Sequence, residues 1–278
     1  MTEVLTKIRF GHSPDPDDAF MFYAIARGKI DLAGFEIEHV VEDIESLNRR
    51  ALRGELEATA VSVHAYAHIA DEYAIMRAGA SVGEKYGPVV VAKMGGTEKI
   101  CGKTIAIPGR LTTAYLALRL FEKNFNEVVV PFDKIIDFVD AGKADAGLLI
   151  HEGQVTYQNH GLKKIMDLGA WWWEETKLPL PLGVDVIRKN LGSEPMKAFA
   201  RVFKESIEYA LAHREAALDY ALPYGRGLTR EAGDRFVGMY VNDYTRDLGT
   251  AGEEGICQLL ARGYDARILP RAITPEFV

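Results

Sequence analysis

Short apolar segments alternate with longer amphipathic segments over much of the chain. The apolar segments are typical of buried strands and the amphipathic segments are typical of helices. Strands are predicted at 7–11, 35–41, 58–63, 86–92, 103–107, 127–132 and 145–150. Helices are predicted at 19–27, 43–53, from near 113 to about 123, and at 133–141. This order predicts parallel sheets whose strands are joined by right-handed crossovers.

The C-terminal part of the chain is mainly helical in pattern, with helices predicted at 195–213, 214–220, 229–241 and 253–262. Two extended segments, 88–93 and 178–186, separate one strand–helix series from the other. We therefore predict a discontinuous first lobe, 1–90 plus 187–278, and an inserted second lobe, 93–177. This is a two-lobed α/β architecture of the type II periplasmic-binding-protein kind, with a cleft between the lobes. A length of 278 residues agrees with two domains.

The composition argues against some classes of binding partner, namely nucleic acid and membranes. Hydrophobic residues make up 48% of the chain and charged residues 26%, which is ordinary for a globular protein. The net charge of −7 argues against nucleic acid as a partner, because phosphate binding needs clustered Lys and Arg. Residues 1–12 lack the pattern of a signal peptide, and no apolar run reaches transmembrane length, so no membrane partner is expected. Cys101 and Cys257 are too few for a zinc site and are expected to be ordinary buried residues.

One predicted strand ends at two titratable side chains. His151 and Glu152 directly follow the apolar segment 146–150. In open α/β sheets the carboxyl ends of the strands face the ligand cleft, so a histidine there is a candidate general acid or base. The alternative, to which we give equal weight, is a histidine that only bonds to backbone at the strand end.

A predicted helix begins with two threonines followed by a small residue. Thr112, Thr113 and Ala114 provide backbone N–H groups and hydroxyls at a helix N-terminus, which attracts carboxylates and phosphates. The alternative is that Thr112 is only an N-cap, which leaves the second threonine unexplained. We therefore expect an anion to bind at this helix start.

Further polar residues follow predicted strands or begin predicted helices of the first lobe. Asp15, Asp17 and Asp18 form an acidic cluster, in which one member is expected to cap a helix. Three aspartates on one turn are too few ligands for a hard cation, so we expect no metal and infer that a carboxylate orients a substrate hydroxyl. Asn48 and Ser62 are also placed at the cleft, with Ser62 as a hydrogen-bond donor because it lacks a nucleophile elbow.

Aromatic residues of the second lobe are candidate walls for an aromatic ligand. Trp171, Trp172, Trp173 and Tyr157 supply flat apolar surfaces. Packing within the inserted lobe is at least as good an explanation for each tryptophan.

Several motifs occur together along the chain. They are Ser13-Pro14-x-Pro16-x-Asp18 with Phe20-Met21-Phe22-Tyr23-Ala24, Glu42-Asp43-Ile44-Glu45-Ser46-Leu47-Asn48, Pro108-Gly109-Arg110-x-Thr112-Thr113-Ala114-Tyr115, Leu149-Ile150-His151-Glu152, Asp167-Leu168-Gly169-Ala170-Trp171-Trp172, Leu178-Pro179-Leu180-Pro181-Leu182-Gly183 and Tyr240-Val241-Asn242. In this combination, and over nearly its whole length, the chain resembles the 1,4-dihydroxy-6-naphthoate synthases of the futalosine route to menaquinone.

The resemblance implies a cytoplasmic, two-lobed carbon–carbon lyase that uses no cofactor and takes a small anionic aromatic substrate. Members of that family convert cyclic dehypoxanthinylfutalosine to 1,4-dihydroxy-6-naphthoate and release the sugar-derived fragment. By this resemblance His151 is the general base. Residues matching Asn48, Ser62, Thr113 and Ala114 line the ligand pocket of the family.

The resemblance leaves two alternative functions and one difference from the family pattern. A chorismate dehydratase of the same pathway and a non-catalytic solute-binding protein have similar layouts, although His151 and the pair Thr112 and Thr113 favour the synthase. The family usually has cysteine in place of Asp15 and asparagine in place of Asp17. These two added negative charges are expected to repel an anionic substrate unless they are offset.

Overall fold

A computed structural model describes residues 6–278 of the protein. Residues 1–5, which carry part of the expectation about a signal peptide, lie outside the described residues. The strands, β1 to β11, are Thr6–His12, Phe35–Val41, Ala58–Ser62, Tyr73–Ile75, Ser81–Gly83, Val89–Lys93, Thr104–Ile107, Asn126–Val129, Ala146–Leu149, Leu162–Asp167 and Leu180–Arg188. The α-helices, α1 to α13, are Pro16–Met21, Tyr23–Ala26, Ile44–Leu52, Val63–Ile69, Thr113–Phe121, Ile135–Asp140, Gly153–Thr156, Leu168–Thr176, Ser193–Ala212, Arg214–Ala221, Arg230–Tyr240, Asp243–Arg246 and Gly249–Asp265.

The strands form two separate sheets, one in each lobe. The first sheet has the order β2-β1-β3-β11-β4, with β5 also paired to β11, and the second has the order β10-β6-β9-β7-β8. The strand–helix repeats are parallel as predicted, since β1 pairs in parallel with β2 and β3, and β7 with β8 and β9. The sheets are nevertheless mixed, because β6 and β11 run antiparallel to the strands they join.

The chain passes twice between the sheets. It leaves the first sheet after β5 and enters the second with β6, and it returns after α8 to form β11. The predicted crossing segments 88–93 and 178–186 therefore contain β6 and most of β11, so each contributes a strand to one sheet. The cleft lies between these two sheets.

Helix α13 connects the two lobes through a shared hydrophobic core. Its buried Leu259 belongs to the same cluster as Val61 of β3 and Leu116 of α5. Arg262, also on α13, lies 5.2 Å from the centre of the Trp172 ring. The lobes are thus joined by packed side chains as well as by the two chain crossings.

The tryptophan segment packs in the second lobe and does not face the cleft. Trp172 is fully buried and donates its indole N–H to the Pro179 carbonyl at 3.1 Å, while Trp171 packs edge-on against Phe121. Trp173 carries the ammonium group of Lys85 over its ring at 4.7 Å. The three tryptophans therefore pack against other protein groups, which was the alternative to a role as walls for an aromatic ligand.

The two cysteines differ from expectation. Cys101 and Cys257 are both exposed, which corrects the prediction that they are buried. Cys257 lies on the solvent-facing side of α13, and Cys101 lies in a turn before β7, so neither belongs to an apolar cluster. Over residues 6–278, no helix is both long enough and apolar enough to span a bilayer.

A candidate active site between the lobes

A cavity that is partly open to solvent lies between the lobes. Its apolar walls come from Ile44 and Val184 of the first lobe and Ile150 of the second. Its lining includes five of the site residues predicted from the sequence, namely Asp18, Ser62, Thr112, Thr113 and Ala114.

The two threonines at the start of α5 use their hydroxyls within the protein. Thr112 is the N-cap: its hydroxyl accepts the Tyr115 N–H at 3.3 Å and donates to the Gly109 carbonyl at 2.9 Å. The Thr113 hydroxyl donates to the Leu182 carbonyl at 2.5 Å. The hydroxyls therefore position α5 against β11, and they are not free for a ligand.

The backbone at the same helix start remains available to a ligand. Intrahelical acceptors do not exist for the first N–H groups of a helix. Tyr115 and Leu116 bond to Thr112, whereas the N–H groups of Thr113 and Ala114 have no acceptor among residues 6–278. Both residues line the cavity, so their N–H groups and the helix dipole form a site for a carboxylate.

Close contact between the lobes at this point depends on Gly109. The Glu45 carboxylate, on α3 of the first lobe, accepts the Leu111 N–H at 3.3 Å. A Cβ atom at Gly109 would overlap that carboxylate, so a larger residue there would displace the Glu45 side chain from this contact. Burial raises the pKa of Glu45.

Asn48 supports the site from outside the cavity. Its amide oxygen accepts the Ser62 N–H at 2.8 Å, and its amide nitrogen donates to the Ser62 hydroxyl at 3.1 Å. The Ser62 hydroxyl hydrogen has no acceptor in the described part of the chain, so it can donate into the cavity. Asn48 itself is fully buried and does not line the cavity.

The acidic cluster lies at the cavity, and its members have different surroundings. Asp18 accepts the Ser13 N–H at 2.5 Å, and burial raises its pKa to about 7. Asp15 occupies the N-cap position of α1 without a capping hydrogen bond, and instead accepts from the Ser13 hydroxyl at 2.8 Å. Residues 6–278 contain no group of three His, Cys, Asp or Glu side chains suited to a metal ion.

His151 lies at the end of β9 but does not line the cavity. Its Nδ1 accepts the Gly153 N–H at 3.0 Å, and its Nε2 lies 2.8 Å from the Phe132 carbonyl. An Nδ1 that accepts a hydrogen bond carries no proton, so Nε2–H is the donor to the Phe132 carbonyl and the ring is the neutral Nε2–H tautomer. In this conformation the imidazole bonds to backbone at the strand end, as the alternative interpretation has it, and its role as a general base stays a prediction.

Arg226 joins the lobes beside the site through two ion pairs. Its guanidinium bonds Glu152 of the second lobe at 2.9 Å and Asp15 of the first at 2.8 Å. It also lies 4.7 Å from the centre of the Phe132 ring, a cation–π contact. Although burial opposes ionisation, the contact with Arg226 lowers the pKa of Glu152. The charge on Asp15 is thus offset by Arg226.

Two residues at the site were not identified from the sequence. Arg226 lies in a loop between predicted helices, where no local pattern distinguishes it from other surface arginines. Asp185 lines the cavity from β11. The sequence did contain a signal for it, a charged residue between Val184 and Val186 in a buried strand. A buried charge in such a strand is rare enough to indicate a function.

Comparison with known proteins places the chain in a family. The model of the family described as "Menaquinone biosynthesis" matches residues 8–265. The chain is 41% identical to a protein named 1,4-dihydroxy-6-naphtoate synthase from Thermus thermophilus, over 98% of this chain and 99% of that protein. It is 34% identical to a protein of the same name from Streptomyces coelicolor, over 97% and 96% of the two chains.

Solved structures agree on the fold. A protein from Archaeoglobus fulgidus is 51% identical, with a TM-score of 0.91 over 94% of this chain and 98% of that chain. A Candida albicans protein described as having the generic periplasmic binding protein fold is 15% identical, with a TM-score of 0.75 over 97% and 92% of the two chains. The predicted two-lobed fold is thus confirmed, and the chain belongs to the menaquinone biosynthesis family.

Proposed function

We propose that this enzyme cleaves a carbon–carbon bond of cyclic dehypoxanthinylfutalosine to form 1,4-dihydroxy-6-naphthoate. The observation that carries the proposal is the full-length relationship to two proteins named as synthases of that product. A function in menaquinone biosynthesis agrees with the family match. The reaction needs no cofactor, because the proton taken from the substrate is returned to the departing fragment.

The cavity has polar and apolar surfaces that suit the two parts of this substrate, its carboxylate and its ring system. The carboxylate is proposed to bind the N–H groups of Thr113 and Ala114, where the helix dipole favours negative charge. The flat ring system then lies between apolar walls such as Ile44 and Ile150. The Ser62 hydroxyl donates a hydrogen bond to the substrate from the first lobe.

His151 is proposed to be the general base. Ile150, the residue before it, lines the cavity. We infer that the imidazole rotates about its side-chain bonds when the substrate binds and turns a ring nitrogen to it. Proton removal leaves an electron pair that forms the aromatic ring as the bond to the sugar-derived fragment breaks. The carboxylate of Glu152, 3.3 Å from Nδ1, stabilises the imidazolium that forms.

The decisive experiment incubates the purified protein with cyclic dehypoxanthinylfutalosine and, separately, with chorismate. Formation of 1,4-dihydroxy-6-naphthoate from the first compound, detected by chromatography and mass, is the expected result. Loss of water from chorismate instead would identify a chorismate dehydratase. Binding of the first compound without conversion would indicate a solute-binding protein.

A further inference from the structure

Asp185 is a buried carboxyl group that faces the cavity. It lies on β11, in the antiparallel pair with β3, and it is 2% exposed. Its Oδ1 atom has no hydrogen-bond partner among residues 6–278. A Cβ atom at Gly79 would overlap the other carboxyl oxygen, so the glycine leaves the space in which the carboxyl group sits.

Asp17 presents a second buried carboxyl group to the same cavity from a different element. It lies in the first turn of α1 and is 9% exposed. Its Oδ1 atom is likewise buried without a partner in the described chain. Two unpaired carboxyl oxygens from distant parts of the sequence thus line one cavity.

Burial raises the pKa of both groups well above the usual range, and the charges of Asp18 and Asp15 raise that of Asp17 further. A protonated carboxyl group both donates and accepts hydrogen bonds, as a hydroxyl group does. A buried polar atom without a partner costs about 1–3 kcal/mol, which native proteins tolerate mainly where a ligand or water completes the bond.

We propose that Asp17 and Asp185 form a subsite that binds hydroxyl groups of the sugar-derived part of the substrate, an inference that rests on the proposed function. The two carboxyls are specificity-determining residues and are separate from the base. The carboxylate end of the substrate lies at the N–H groups of Thr113 and Ala114, so the two ends of the substrate are recognised by different lobes.

The test compares Asp185→Leu with Asp185→Asn in the full-length protein. Leucine removes the hydrogen bonds, so KM for cyclic dehypoxanthinylfutalosine rises about tenfold or more, whereas asparagine retains a donor and an acceptor and keeps KM within about threefold. The Kd for 1,4-dihydroxy-6-naphthoate, which lacks the sugar-derived part, stays unchanged in both variants. The same difference is expected at the second position: Asp17→Leu raises KM for the substrate, Asp17→Asn changes it little, and the Kd for the product stays unchanged in both.

Asp265→Leu, at an exposed position on α13, is the matched control and leaves KM unchanged. Melting temperatures identify a variant that fails to fold. If the leucine variant does not fold, the asparagine variant is used instead, and its KM for the substrate is compared with its Kd for the product. An unchanged KM in Asp185→Leu, or equal weakening of substrate and product, would overturn the subsite while wild-type turnover still supports the proposed function. Absence of turnover by the wild-type protein would overturn the proposed function and the subsite with it.

Discussion

The Arg226 guanidinium lies 2.9 Å from the Glu152 carboxylate, and this ion pair spans the cleft. The same guanidinium bonds Asp15, so one side chain holds groups from both lobes next to the residue proposed as base. Arg226 has a left-handed backbone conformation with φ of 49°, which costs about 1–2 kcal/mol for a residue other than glycine. The contacts with Glu152, Asp15 and Phe132 offset this strain.

Replacement of Arg226 by glutamine is expected to weaken closure of the cleft. The side chain is 32% exposed, so the loss in global stability should be below ~1 kcal/mol, whereas kcat/KM falls about tenfold because the lobes close less often. Steady-state kinetics and urea unfolding measure the two effects. Arg230→Gln, which breaks a pair with Asp219 outside the cleft, is the control. A normal kcat/KM in Arg226→Gln would show that the ion pairs do not contribute to closure.

Replacement of His151 by alanine is expected to abolish turnover while ligand binding remains. Loss of a general base typically costs ~10²–10⁴-fold in rate. Single-turnover rates and the Kd for 1,4-dihydroxy-6-naphthoate separate catalysis from binding. His160→Ala, at an exposed position in the same lobe, should have wild-type activity. If His151→Ala kept more than about a third of the activity, a different group would have to be the base.

Two substitutions at Thr113 distinguish its hydroxyl from its backbone N–H. Thr113→Val removes only the hydroxyl, which bonds Leu182, and should reduce stability by about 1 kcal/mol. Thr113→Pro also removes the N–H, and proline is tolerated at the first position of a helix. We expect KM to be about tenfold higher in the proline variant than in the valine variant, with a similar kcat. Equal KM values in the two variants would exclude this N–H as a carboxylate ligand.

The buried Asp18 makes stability depend on pH. Burial raises its pKa to about 7, whereas an unfolded aspartate titrates near 4. The folded state therefore holds the proton more tightly, and stability is lost as pH rises from about 4 to about 7. Relative to the wild type, Asp18→Asn should gain ~2 kcal/mol in unfolding free energy between about pH 5 and pH 8.

Urea unfolding at the two pH values measures this gain, and Asp265→Asn at an exposed position is the control. Parallel pH dependence in Asp18→Asn and the wild type would mean that the pKa of Asp18 is the same in the folded and unfolded protein.

Local sequence patterns were sufficient for most of the elements and for the fold. The strand Phe35–Val41 was predicted with both ends correct, and the helices 195–213 and 214–220 agree with α9 and α10 within two residues. Hydrophobic periodicity defines such elements because burial of one face dominates their stability. Strands β4, β5 and β10 and helices α7, α8 and α12 were not predicted. Strands β4 and β5 have three residues each, too few for a periodic pattern, and strands this short are defined by their pairing partners.

Asp18, Ser62 and the start of α5 line one cavity, as their positions at strand ends and helix starts predicted. Only the tertiary structure decided how those groups are used. Both threonine hydroxyls are engaged within the protein, and His151 is turned toward the Phe132 carbonyl. Arg226 and Asp185 reach the site from distant parts of the chain. Hydrogen-bond partners and charge compensation depend on contacts between residues far apart in sequence, and local patterns carry no information about such contacts.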